Sequence, residues 1–100
     1  MKSTLILAVA AAAALSATSA LAGDAAAGKA KSTTCIACHG ADGISAIPNY
    51  PNLKGQKEAY LVKQLTEFRD GKRSYPTMTA MAKPLSDEDI ADLAAYYSSL

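Results

Sequence analysis

Apolar residues recur at helical spacing in the middle of the chain. In residues 57–69, KEAYLVKQLTEFR, the side chains of Leu61, Leu65 and Phe68 are separated by four and then three positions. This spacing places them on one face of an α-helix. An Asp-Gly pair follows directly, and such a pair is a typical helix stop. The pattern therefore predicts a helix over residues 57–69.

The clearest helix pattern lies at the end of the chain. Ser86, with Asp89 three residues later, approximates a capping box, although Asp replaces the usual Glu or Gln. Apolar side chains then follow at positions i, i+3, i+4 and i+7: Ile90, Leu93, Ala94 and Tyr97. A shorter helix is predicted after Asp24, which can cap the alanine-rich run that follows it.

The segments between these helices have the composition of loops. Residues 39–55 and 71–84 are rich in turn-forming residues such as Gly, Pro, Asn and Asp. A long loop in a small domain usually wraps a ligand or has a function. The sequence contains no alternating strand pattern and no internal repeat. The predicted fold class is therefore all-α.

The start of the chain is typical of a secretory signal peptide. Lys2 supplies a positive charge, residues 5–15 are continuously apolar, and Ala20-Leu21-Ala22 fits an A-x-A cleavage site. An apolar run of this length is too short for the roughly 30 Å hydrocarbon core of a membrane. We expect residues 1–22 to be cleaved, residues 23–100 to be exported as one domain, and no stable membrane insertion.

The charge and size of the remaining domain narrow its possible partners. Without Lys2 it carries nine Lys and Arg against nine Asp and Glu, with no basic stripe. A nucleic-acid partner is therefore not expected. A domain this small has a marginal hydrophobic core, and a disulfide, a metal or a cofactor usually contributes to its stability.

The candidate chemistry is concentrated in five consecutive residues. Cys35 and Cys38 are the only cysteines, and His39 is the only histidine. A thioredoxin-like dithiol would need this motif between a strand and a helix, and no strand is predicted before it. A structural zinc site needs four ligands and a catalytic one three plus water, but the chain has no other Cys or His. An ordinary disulfide remains a further alternative.

Covalent haem attachment accounts for all three residues. C-x-x-C-H is the attachment signature of c-type haem, and two thiols within one helical turn can form thioethers with the two haem vinyl groups. His39, directly after Cys38, can then bind the iron through its imidazole. The motif therefore predicts one covalently bound haem c and its iron as the cofactor.

Four stretches resemble the class I c-type cytochromes, in particular the small bacterial cytochrome c553 and c4-like monohaem domains. They are CIACHG, PNYPNLKGQ, YLVKQLTEFRDGKR and PTMTAMAKPLSDEDIADLAAYYSSL. The resemblance covers nearly all of residues 23–100. It implies the class I cytochrome c fold, in which three main helices surround one haem whose six-coordinate iron transfers electrons.

The resemblance also implies roles for particular residues. The first Met of the M-x-x-M pair is the sixth iron ligand in c4-like domains, so Met78 is expected to bind the iron, with Met81 as the alternative. The backbone carbonyl of Pro51 is expected to accept a hydrogen bond from His39. Two further groups of residues are candidates for contact with the haem. Arg69, Lys72 and Arg73 are either partners of the haem propionates or, by default, solvated cations. The aromatic residues are expected to pack in the haem pocket or between helices, without a part in redox chemistry: Tyr60, Phe68, Tyr96 and Tyr97.

The function implied by the resemblance is that of a soluble, monomeric electron carrier of the bacterial periplasm. Such a carrier is not an enzyme, and it docks transiently through its haem edge on an electron-donor protein and an electron-acceptor protein. One alternative is a cytochrome subunit of a larger periplasmic oxidoreductase. A second is a haem peroxidase or gas sensor, which would need an open position on the iron.

Overall fold

The structure, a computed structural model, describes residues 22–100. The predicted signal peptide, residues 1–22, lies outside the described residues except for Ala22. The described part contains helices and no strand. Its elements are α1 (Ala25–Lys31), a 3₁₀ turn (Ser32–Thr34), α2 (Ile36–His39), α3 (Glu58–Arg69), α4 (Pro76–Ala82) and α5 (Asp87–Ser99). None of these helices is long and apolar enough to cross a membrane. The all-α prediction is confirmed.

The predicted helix starts are confirmed by their caps. The Asp24 carboxylate accepts hydrogen bonds from the backbone N–H groups of Ala26 (2.9 Å) and Ala27 (3.2 Å), which α1 would otherwise leave unpaired. At α5 both halves of the capping box form: Ser86 Oγ accepts from the Asp89 N–H, and Asp89 Oδ2 accepts from the Ser86 N–H, each at 3.0 Å. These local interactions fix where α1 and α5 begin.

The predicted loop over residues 71–84 is wrong, because α4 lies within it. Pro76 occupies the first turn of α4, where its fixed φ suits a helix and its missing N–H is not needed. A helix of seven residues is unstable by itself and too short to give a clear periodic pattern. It forms here because it packs against α3. The predicted loop over residues 39–55 contains no helix after His39.

The core lies between α3 and α5. The predicted apolar face of α5 is buried along its whole length, and on α3 Leu61 and Phe68 are buried while Leu65 is partly buried. Leu61 packs with Leu93 and with Tyr97 in one cluster, and Cys35 is partly buried against the same cluster. Tyr60 differs from the other aromatic residues of α3 and α5, because it remains 46% exposed. The segment with the cysteines is therefore attached directly to the core.

A polar network joins α1 to α5. Asp92 is 4% exposed, and its carboxylate accepts from the Asp24 N–H (2.8 Å) and from Lys31 Nζ (2.6 Å). Lys31 also pairs with Asp89 at 2.9 Å. The Lys31 ammonium, assisted by the Asp24 N–H, holds the pKa of Asp92 below its ordinary value. Because α1 leads into the cysteine motif, this network also orients Cys35.

Gly28 allows α1 and α5 to approach closely, so we expect Gly28→Ala to destabilise the fold. A Cβ at position 28 would lie 1.9 Å from the backbone O of Asp92, which cannot rotate away. Alanine forms helices better than glycine, so without this contact the change would be stabilising. We expect a loss of about 1–3 kcal/mol, measured by guanidinium unfolding of the haem-loaded protein. The exposed control variant Lys29→Ala should stay within about 0.5 kcal/mol of the wild type. A Gly28→Ala protein as stable as the wild type would contradict this close crossing.

Candidate functional site

A cavity of about 620 Å³ lies between α2, α3, α4 and α5 and the loop that follows α2. Its wall is mainly apolar, with side chains such as Leu61, Phe68 and Leu93. Cys35, Cys38, His39, Met78 and Met81 all line it. These five residues therefore line one cavity, although the first and the last of them are 46 positions apart in the sequence. Its volume and apolar character are typical of a cofactor site.

His39 is fixed in one orientation at the wall of this cavity. The residue is 6% exposed, and its Nδ1 lies 2.8 Å from the carbonyl oxygen of Pro51. A carbonyl can only accept a hydrogen bond, so Nδ1 must carry the proton and donate it. In the neutral ring, the lone pair is then on the other nitrogen, Nε2. That is the protonation form in which an imidazole binds a metal.

The loop after α2 is folded so that Pro51 reaches His39. Gly40 ends α2 with a φ of +86°, and a Cβ there would lie 1.9 Å from the backbone O of Ile44, so only glycine fits. Ser45 is held from two sides: its Oγ donates to the carbonyl of Cys38 (2.8 Å), and its N–H donates to Asn52 Oδ1 (2.8 Å). These bonds tie residue 52 to residue 38. Pro51 is therefore brought beside the ring of His39.

Both cysteines are free thiols and partly buried. Burial raises the pKa of the Cys35 thiol, so this side chain stays protonated at neutral pH. Within residues 22–100, no group of three or more His, Cys, Asp and Glu side chains is arranged to hold a metal ion. The described residues thus give no support to the zinc alternative.

The two methionines differ in exposure. Both are on α4 and three positions apart, so they lie on neighbouring parts of one helix face. Met78 is half-buried, whereas Met81 is 45% exposed. The structure therefore brings both thioethers to the cavity that His39 lines, with Met78 the more enclosed of the two.

The two arginines at and just beyond the end of α3, Arg69 and Arg73, lie in different environments. Arg69 is engaged away from the cavity, where it pairs with Asp70 (2.9 Å) and Asp87 (2.8 Å). Arg73 lines the cavity, with its guanidinium 4.5 Å from the centre of the Phe68 ring and hydrogen-bonded to Gln64. The sequence could not distinguish these two arginines, because the difference depends on contacts 16 to 18 positions away along the chain.

Tyr97 packs at the cavity, one of the two positions expected from its place on the apolar face of α5. Its ring lines the cavity beside Cys35, whereas a role for its hydroxyl was not predicted from the sequence. Burial raises the pKa of the Tyr97 hydroxyl above its ordinary value. The only signal in the sequence was a hydroxyl on an otherwise apolar helix face, where Ile90, Leu93 and Ala94 carry none.

Taken together, these residues fit a covalently attached haem. The two thiols can form thioethers, and the free Nε2 of His39 can bind iron from within the same cavity. A methionine thioether is available as a further ligand. The cationic side chain of Arg73 at the wall suits an anionic group, such as a haem propionate.

The chain is similar to several bacterial cytochromes. The family model described as Cytochrome c matches residues 25–100. Cytochrome c-554(548) of Halomonas halodenitrificans is 58% identical over 53 residues, which cover 50% of this chain and 64% of that protein. The protein named "Thiosulfate dehydrogenase electron acceptor" from Thiomonas intermedia is 51% identical over 51 residues, covering 51% of this chain and 24% of that protein.

The fold is similar to that of solved structures as well. The crystal structure of reduced recombinant cytochrome c4 from Pseudomonas stutzeri aligns with a TM-score of 0.74 and 49% sequence identity. The alignment covers 78% of this chain and 46% of that one. The chain thus spans between about a quarter and two thirds of the length of the curated relatives that it matches.

Proposed function

Because the chain belongs to the cytochrome c family, we propose that it is a carrier that moves single electrons between partner proteins. Haem c is its cofactor, and the haem iron supplies the redox chemistry by taking up and releasing one electron. The observation that carries the proposal is the shared cavity, in which two thiols, a metal-binding imidazole nitrogen and a half-buried thioether meet. A residue set that can fill both axial positions favours electron transfer over chemistry on a bound substrate.

We assign the haem attachment to Cys35 and Cys38 and the axial ligands to His39 and Met78, with Met81 as the alternative. The lower exposure of Met78 supports its choice, because a ligand inside the cavity also excludes water from the site. Pro51 acts through His39: by accepting the Nδ1 proton it holds the ring in place and makes Nε2 a stronger donor. Arg73 compensates the negative charge of the haem propionates.

We further propose that the chain is exported and meets its partners only briefly. Residues 1–22 form a signal peptide, and residues 23–100 act in the bacterial periplasm as a soluble monomer that is not an enzyme. Donor and acceptor proteins dock transiently at the exposed haem edge, over a patch of less than about 1,200 Å². The nearly balanced charge of the domain supports weak electrostatic steering of these encounters.

A redox titration of the exported, haem-loaded protein tests this function. We expect one reversible one-electron transition, and no binding of carbon monoxide to the reduced form, because both axial positions are filled. The visible spectrum reports both results. Rapid carbon monoxide binding, or turnover of hydrogen peroxide, would contradict the carrier and favour the open-site alternative.

A second candidate function is supported by one specific observation. The likeness to the thiosulfate dehydrogenase electron acceptor of Thiomonas intermedia favours a cytochrome subunit that receives electrons within a larger periplasmic oxidoreductase. Size-exclusion chromatography of periplasmic extract at physiological salt separates the two. A free domain elutes at the size of residues 23–100, whereas a subunit co-elutes with a partner at constant stoichiometry.

A further inference from the structure

The hydroxyl group of Tyr97 is buried without a hydrogen-bond partner. Tyr97 is 3% exposed, and within residues 22–100 its Oη is the only buried side-chain oxygen or nitrogen that makes no hydrogen bond. Buried polar groups are almost always paired, because losing hydration without a replacement bond is costly. An orphaned hydroxyl at the wall of a cofactor cavity therefore indicates a partner that is formed when the cofactor is attached.

The position of Tyr97 restricts that partner to a few groups. Its ring lines the cavity, and its hydroxyl is next to the Cys35 thiol and the Ser32 hydroxyl. Ser32 Oγ donates its hydrogen to the carbonyl of Lys29 at 2.7 Å, so it can act towards Tyr97 only as an acceptor, as the Cys35 sulfur can. The ring itself is held by Tyr96, whose ring centre lies 5.0 Å away at an angle of 55°. The polar neighbours of the hydroxyl thus lie within residues 32–35, which end at the first attachment cysteine.

Attachment changes the hydrogen-bonding character of Cys35. When its S–H adds across a vinyl double bond, a C–S bond forms and the hydrogen moves to the neighbouring carbon. The sulfur is left as a thioether, which has no hydrogen and can only accept. A tyrosine hydroxyl is protonated at neutral pH, and burial raises the pKa of Tyr97 further, so its hydroxyl can donate.

We propose that the Tyr97 hydroxyl donates a hydrogen bond to the Cys35 sulfur in the haem-loaded protein, and that this bond raises the reduction potential. The inference rests on the attachment to Cys35 proposed above. The positive end of the O–H dipole points towards a sulfur that is bonded to the haem, so it disfavours the extra positive charge of the oxidised state. Hydrogen bonds to cofactor groups are a recognised means of tuning such potentials. Tyr97 is a positioning and tuning residue, not an iron ligand.

The first test compares Tyr97→Phe with Tyr96→Phe in the haem-loaded protein. Both changes remove one hydroxyl from adjacent buried tyrosines of α5, but Tyr96 packs over Gly28 in the α1–α5 crossing. We expect Tyr97→Phe to shift the electron-exchange equilibrium with a reference cytochrome about threefold towards the oxidised form. At 59 mV per tenfold for one electron, this shift is a decrease of about 30 mV in the midpoint potential. Tyr96→Phe should leave the midpoint potential unchanged. Equal potentials for Tyr97→Phe and the wild type would overturn the proposal.

The second test identifies the acceptor. In a Cys35→Ala background, where haem is retained through Cys38 alone, the effect of Tyr97→Phe should vanish, because the two residues act as one pair. A shift of the same size in that background would overturn the assignment and point to Ser32 or a buried water. Proton NMR of the reduced wild type gives an independent readout that does not need this variant. We expect a slowly exchanging Tyr97 hydroxyl proton with cross-peaks to the Cys35 side chain, and a rapidly exchanging one would also overturn the assignment.

A failure of the role proposed for Tyr97 can be distinguished from a failure of the proposed function. If the wild-type chain carries no covalent haem, its intact mass reveals this before any potential is measured. If haem is attached and the variants behave alike, only the role of Tyr97 is wrong.

Discussion

Replacing both Cys35 and Cys38 with alanine abolishes the covalent retention of haem in the exported protein. The two thiols line the same cavity as His39, and no other cysteine in the chain can substitute for them. Without thioether bonds, the haem is held only by axial ligation and packing, which denaturation removes. We expect all haem to be lost from the double variant on a denaturing gel, whereas the wild type keeps its haem there. The single variants should retain part of it.

The structure offers a matched control for this experiment. Thr34 precedes Cys35 directly and also lines the cavity, but it has no thiol. Thr34→Ala should therefore retain haem as the wild type does. Intact mass spectrometry of the wild type, unfolded and freed of loose ligands, is the decisive measurement. A mass equal to that of the amino acids of residues 23–100 alone would contradict covalent attachment and with it the site proposed here.

Loss of haem should also reduce the stability of the fold. The cavity occupies the space between α3, α4 and α5, and the short helix α4 packs mainly on α3. Small domains depend on such additional components, since their own cores are marginal. The same physical need was already visible in the sequence as a domain too small to rely on its core alone.

How much of the fold was predictable depended on whether its determinants are local. The starts of α1 and α5 are set by Asp24 and Ser86, whose bonds reach two or three residues, so the sequence identified both. The face of α3 follows from spacing within one helix. The helix α4 was not predicted, because its stability comes from packing on α3 and from the position of Pro76. Neither of these produces a periodic pattern in the sequence.

For the site, too, local features could be predicted and tertiary contacts could not. The motif Cys35–His39 is contiguous, so the sequence indicated the cofactor directly. The different environments of Arg69 and Arg73 and the orphaned hydroxyl of Tyr97 arise from tertiary contacts. Such contacts cannot be obtained from one sequence, because helical spacing shows which face of a helix is buried but not what it is buried against.

Replacing Met78 with alanine should open one axial position of the iron. Met78 lines the cavity and is half-buried on α4, so its thioether is the more enclosed of the two candidates. A thioether stabilises Fe(II) relative to Fe(III), so its loss lowers the midpoint potential. We expect the electron-exchange equilibrium to shift more than tenfold towards the oxidised form. This corresponds to a decrease of more than about 59 mV in the midpoint potential. The red-region absorption band of Met–Fe(III) should disappear, and the reduced variant should bind carbon monoxide.

Met81→Ala is the matched control, because it removes the same side chain three residues later on the same helix. Met81 is 45% exposed, so truncating it should change stability by no more than about 0.5 kcal/mol and leave the absorption band in place. Both variants keep Pro76 and the rest of α4, so a difference between them reports on the ligand and not on the helix. Loss of the band in Met81→Ala alone would reverse the assignment of the sixth ligand. Its persistence in both single variants would show that either thioether can take the position, because the two lie on neighbouring parts of one helix face.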